Sequence, residues 1–95
     1  MKYIKKPIPI EAVKVPPKES RMKLEEWDSY FPKWFFEAVE RFEITNDEDG
    51  LIINTLEGKM HAAYDNSYLI RGIKGEIYPC RADIFEETYE EYKEE

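Results

Sequence analysis

Asn46-Asp47-Glu48-Asp49-Gly50-Leu51-Ile52-Ile53-Asn54-Thr55-Leu56-Glu57-Gly58-Lys59-Met60 decides the fold class. A polar cluster ending in Asp49-Gly50 stands between β-prone runs, which is a tight-hairpin pattern. A second turn, Glu57-Gly58-Lys59, follows directly. Asp65-Asn66-Ser67 and Lys74-Gly75 continue the spacing. Residues 43–45, 51–56, 60–64, 68–73 and 76–78 therefore read as an antiparallel β-meander of about four to five short strands.

Upstream, residues 32–42 place Trp34, Phe35, Ala38, Val39 and Phe42 at i, i+1, i+4, i+5 and i+8, one broad apolar stripe, with Pro32 suited to a first helical turn. This is the expected main helix, on which the meander packs its apolar face. Each buried ring there is worth about 1.5–3 kcal/mol. Further upstream, residues 8–15 set Ile8, Ile10 and Ala12 against Pro9, Glu11, Val13 and Val15, an extended segment with one better-buried face. Pro7 and Pro9 cannot donate to a ladder, so this strand belongs at a sheet edge. Pro16-Pro17 ends it, and residues 22–27 suggest a short helix broken before Pro32. Downstream, Ile84, Phe85, Thr88, Tyr89 and Tyr92 repeat the helical spacing. Asp83 suits the N-cap of a short C-terminal helix, with Glu86 completing a capping box, although Tyr89 and Tyr92 would also suit a strand. The expected fold is α+β, a single domain over residues 1–95 with 92–95 frayed.

The chain of 95 residues has a net charge of -7, unevenly spread. Residues 83–95 carry seven acids against Lys93, a net of -6, while residues 1–23 carry seven bases against Glu11 and Glu19, a net of +5. Such ends attract each other across a fold or a subunit contact, so a homo-oligomer is one expectation. An acidic chain is a poor match for phosphate backbones or anionic membranes, so direct nucleic-acid binding is not expected. No run approaches the ~18 apolar residues that would span a bilayer. The start, Met1-Lys2-Tyr3-Ile4-Lys5-Lys6, is basic, but Pro7 and Pro9 interrupt any apolar stretch after it, and a cytoplasmic location is expected. One Cys and one His exclude an intramolecular disulfide and a zinc site built on several such ligands. No cofactor is expected.

Four constellations carry candidate chemistry. Cys80, beside Arg81 and ahead of a helix, has the surroundings of an activated thiol, but free Cys is more often a small buried hydrophobe, and that reading is preferred. His61 lies in a strand on the opposite face from Met60 and Ala62, and reads as a rim residue. Arg71, Lys74, Tyr78 and Arg81 cluster around one hairpin, where stacking and guanidinium bonds suit an anionic, nucleotide-like molecule. Cross-strand pairing of Arg71 with Glu76 is the plainer alternative. Last, Glu86, Glu87, Glu90 and Glu91, with Glu94 and Glu95, fall at helical i, i+4, i+8 spacing as two carboxylate rows. These would occupy a basic groove on a partner or simply solvate a helix face.

Pro32-Lys33-Trp34-Phe35-Phe36-Glu37-Ala38-Val39, Thr55-Leu56-Glu57-Gly58-Lys59-Met60 and Ile70-Arg71-Gly72-Ile73-Lys74-Gly75-Glu76-Ile77-Tyr78-Pro79-Cys80, followed by Asp83-Ile84-Phe85-Glu86-Glu87-Thr88-Tyr89-Glu90, together resemble small phage and prophage proteins of the PGDYG-domain type. The likeness covers nearly the whole chain, including the Lys6-Pro7-Ile8-Pro9-Ile10-Glu11-Ala12-Val13 opening. It departs at Tyr64-Asp65-Asn66-Ser67-Tyr68, where the family has Pro-Gly-Asp-Tyr; Asn66 is the residue expected to take the left-handed conformation there. The resemblance implies an accessory product of bacteriophage or prophage acting by binding in the bacterial host. The leading expectation is thus a non-enzymatic protein that binds a host bacterial protein, as an inhibitor of an antiviral system. The alternative is a sponge for a nucleotide-like signal at Arg71, Lys74, Tyr78 and Arg81, and a Cys80-dependent enzyme is a distant third.

Overall fold

The computed structural model describes residues 1–4, 7–17 and 29–91. The 22–27 helix and the fraying of 92–95 fall outside them, as do Tyr92, Lys93, Glu94 and Glu95. The fold is α+β, but its strands form two antiparallel three-stranded sheets in place of one meander. The elements are β1 (Glu11–Lys14), α1 (Lys33–Glu40), β2 (Ile44–Asn46), β3 (Gly50–Thr55), β4 (Gly58–Ala63), β5 (Ser67–Arg71), β6 (Ile77–Arg81) and α2 (Ala82–Thr88). One sheet runs β2-β3-β4 and the other β1-β5-β6, with β1 at the edge.

The chain leaves the first sheet at Tyr64 to Asn66. Asp65, not Asn66, adopts the left-handed conformation (φ 59), and its N–H donates to the carbonyls of Val15 and Pro16. That contact swings the next strand onto β1, so β5 pairs with Glu11–Lys14 and not with β4. Turn spacing reports where a strand ends but not which distant strand it joins.

The hairpins formed largely where the turns placed them. Asp47 closes β2–β3, its carboxylate accepting from the N–H groups of Asp49 (2.8 Å) and Gly50 (3.0 Å). Gly50 is needed for a different reason than a left-handed turn: a Cβ there would lie 2.1 Å from the Ala62 carbonyl oxygen across the ladder. Leu56-Glu57 turn β3 into β4, and Gly58 takes φ 116.

The core lies between the sheets. Leu69, Ile77 and Val15 from one meet Ile44, Leu51, Ile53 and Ala62 from the other, with Trp34, Phe35 and Ala38 of α1 and the preceding Phe31 closing one side. Phe31 and Phe35 stack at 3.9 Å. The expected stripe is cut short at its far end, where Val39 is 40% and Phe42 76% exposed. The cause is local. Glu43 N–H bonds Ala38 O and Phe42 N–H bonds Val39 O, the paired bonds of a Schellman ending. Phe42 sits at the left-handed position (φ 60) that glycine usually fills, and its ring is turned outward.

In β1 and the residues flanking it, Val15 is fully buried and Val13 partly so, while Ala12 and Ile8 are exposed and Ile10 only partly covered. The better-buried face is therefore the odd-numbered one.

Candidate functional site

The acidic segment begins in α2, directly after β6. Its N-cap is Arg81, and Asp83 sits one step inside the helix in place of the expected cap. The Asp83 carboxylate accepts from Ile84 N–H (2.9 Å) and from Arg81 Nε (3.0 Å). The Arg81 guanidinium, first among the causes, holds Asp83 below the usual carboxylate range, and Asp83 raises Arg81 in return. The helix is short because Tyr89 is already extended (φ -117, ψ 150). Glu86 and Glu87 are therefore helical, while Glu90 and Glu91 lie beyond the end of the helix. The two carboxylate rows expected along one helix do not continue past Thr88.

What fixes this segment is a stack of rings. Tyr68 of β5 lies 4.0 Å from Phe85, and Phe85 lies 4.9 Å from Tyr89, all near parallel. Beneath them Ile70 is 1% exposed. Tyr78 stands opposite Ile70 on the same face. Burial first and the neighbouring Tyr89 hydroxyl second push Tyr78 up to about 12. Glu86, Glu87, Glu90 and Glu91 are exposed, and none forms an ion pair among the described residues. Among the described residues only the Tyr68 hydroxyl reaches Glu86, donating at 3.5 Å.

An open groove of about 1250 Å³ runs from this stack along residues 7–13 to Tyr30, Phe31 and Trp34. Its described lining includes Glu11, Glu86, Glu90 and Glu91 and no Lys or Arg. Trp34 is 7% exposed and its indole Nε1 is buried without a hydrogen-bond partner among the described residues. Tyr30 donates to the Lys14 carbonyl at 2.6 Å, and burial, then Tyr68, raises its pKa.

The cationic cluster is arranged differently from its sequence order. Arg71 pairs with Ile77 at one end of the β5–β6 ladder and Arg81 with Ser67 at the other. Four steps at about 3.3 Å separate them by roughly 13 Å. Tyr78 faces the opposite side of the sheet from both. Arg71 Nη1 meets Glu11 on β1 at 3.3 Å instead of Glu76, whose carboxylate accepts the Lys74 backbone N–H at 3.0 Å. Beside Arg71 lies a hollow of about 250 Å³, walled by Pro9, Glu11, Gly72 and Gly75. The fold thus sets Arg71 and Arg81 at opposite ends of the ladder and Tyr78 on the other face, with Lys74 in the turn and outside the lining of that hollow.

Cys80 is half-buried, its Sγ directed to the Arg81 carbonyl at 3.6 Å. His61 is exposed in the other sheet, its Nε2 3.2 Å from Asp47 Oδ1. The backbone N–H of Asp49, and His61 after it, hold Asp47 below the usual range. No group of three or more His, Cys, Asp or Glu is placed to hold a metal ion among the described residues. No described helix is long and apolar enough to cross a membrane. Sequence reasoning passed over Tyr30 and Tyr68: strand register sets Tyr68 beside Glu86, and Tyr30 is tied to this side through its bond to the Lys14 carbonyl. Phe85 was visible through its i, i+4 spacing to Tyr89.

Set against known proteins, the chain matches no family model, no curated protein and no solved structure.

Proposed function

We propose that the chain is a non-enzymatic accessory protein of bacteriophage or prophage that works in the host cytoplasm by binding a host bacterial protein, and so inhibits an antiviral system. The phage context comes from the resemblance in the motifs above. The observation that carries the binding mode is the unneutralised acidic set Glu86, Glu87, Glu90 and Glu91, held in place by the Tyr68–Phe85–Tyr89 stack. Carboxylates on a braced element lose little freedom on docking, and with no ion pair among the described residues they keep their field for a partner's Lys and Arg. The matching surface is a basic groove or segment.

The test is capture from bacterial lysate on the immobilised full chain, eluted with rising salt, beside a Glu86→Lys/Glu90→Lys variant. A discrete protein should be held by the native chain, released by salt and lost by the variant, whose unfolding curve stays close to native because surface changes cost within about 0.5 kcal/mol. Equal capture by both chains rejects the reading. A melting temperature raised by nucleotides at the native chain and not at Arg71→Ala would favour the sponge alternative instead.

A further inference from the structure

The outer edge of β1 is unusually complete for a strand preceded by prolines. Val15 N–H donates to Ser67 O at 2.8 Å, which fixes the odd-numbered residues as those bonded to β5. The even-numbered backbone groups therefore point away from the sheet. Tyr30 confirms the parity by bonding the outward Lys14 carbonyl. Carried on through residues 7–10, which lie ahead of β1, the same alternation would turn the donor-less nitrogens of Pro7 and Pro9 inward, past the end of β5. Ala12 keeps its N–H and C=O outward, Ile8 and Ile10 would follow by the same alternation, and no described residue outside β5 bonds any of the three. The prolines that should blunt this edge leave its open side intact.

The side chains tell the same story. Ile8, Ile10 and Ala12 form an apolar, β-prone stripe that the chain's own core leaves uncovered; Ile8 is 48% exposed. Ahead of it Tyr3 and Ile4 stand 87% and 94% exposed.

We infer that this edge pairs antiparallel with the same edge of a second copy, across a two-fold axis at Ile10. Ile10 bonds Ile10 of the second copy, and Ile8 bonds Ala12 of the second copy on either side. The ladder then stops where Tyr30 caps Lys14. Self-pairing is favoured over a foreign strand by charge. The sequence before Ile8 carries Lys2, Lys5 and Lys6 and no acid, while the described lining of the groove beside Tyr68 carries Glu11, Glu86, Glu90 and Glu91 and no Lys or Arg. One chain thus holds both halves of an isologous contact. The sheets join into one of six strands, and both α2 segments lie on the same face, giving any acid-binding partner two sites side by side.

Sedimentation equilibrium on the full chain tests this. The native chain should dimerise reversibly and more weakly at high salt. Ile10→Pro removes both central N–H donors of the dimer and none used within the described fold, so its dissociation constant should rise at least ~10-fold. Pro9→Ala, altered only on the inner side, should dimerise as the native chain does. A native chain that stays monomeric, or an Ile10→Pro dimer as tight as native, overturns the inference. Should Ile10→Pro misfold, amide hydrogen exchange on the native chain decides: Ile8, Ile10 and Ala12 must gain protection with concentration, and fast exchange at every concentration overturns it. Host capture by the acids does not require the dimer, so either reading can fall alone.

Discussion

β5 is buried on both faces, and the two sides are sealed differently. On one side Leu69 joins a core of aliphatic residues from both sheets and the rings of α1. On the other, Ile70 is covered by one seven-residue helix and three stacked rings that remain partly in water. The first side is sealed by alternation and volume, and any change of volume there is felt throughout. The second is closed by a local flap whose charges stay outside. A protein of this size with both has one region devoted to stability and one whose outer surface stays charged and exposed.

The sharpest way to break that contrast is a pair of truncations. Phe35→Ala opens a cavity at a ring 3% exposed and should cost about 3–5 kcal/mol in urea unfolding, near the whole stability of a small domain. Phe85→Ala loses two stacked contacts at a half-buried site and should cost about 1–3 kcal/mol, loosening α2 while the two sheets persist. Equal costs would mean that the flap is part of the main core.

Next in size is a gain. Phe42 occupies the left-handed Schellman position with its ring 76% exposed, so the backbone carries a penalty that no burial within the chain offsets. Phe42→Gly should raise stability by about 1 kcal/mol, read as a higher melting temperature. A loss instead would place the Phe42 ring in a contact beyond the described fold.

Much of this was legible where cause and effect are close in sequence. Asp47 to Gly50 and Leu56 to Gly58 declare their hairpins because both strands lie within a few residues of the turn. The α1 stripe was legible as far as Ala38, and then a backbone bond pattern, not side-chain periodicity, turned Phe42 outward. The pairing of β1 with β5 was not legible, since turn signals say nothing about a partner more than fifty residues away. Alternation along residues 8–15 defined two faces but could not say which meets the core; the bond from Val15 to Ser67 decides that. The acids were readable as charge. Their support was not, because Tyr68 enters only through the register and α2 stops where Tyr89 turns to stack.

The smallest effect probes the flap from beneath. Tyr78 has its pKa raised from 10.0 to about 12, with burial the larger cause and Tyr89 the next. A raised pKa on a phenol means the fold favours the neutral form. Its contribution to stability is complete below pH 10, where neither state ionises. It falls as pH climbs from 10 towards about 12, because the unfolded chain releases the proton first. Ultraviolet titration of tyrosinate should therefore show a late component that Tyr78→Phe removes, together with a shallower alkaline loss of stability. Tyr89→Phe should lower the late component only in part, because burial under α2 outweighs the hydroxyl contact. If Tyr89→Phe abolished it entirely, the flap would be acting through that hydroxyl and not by excluding water, and the second region would be a hydrogen-bonded clasp in place of a small core.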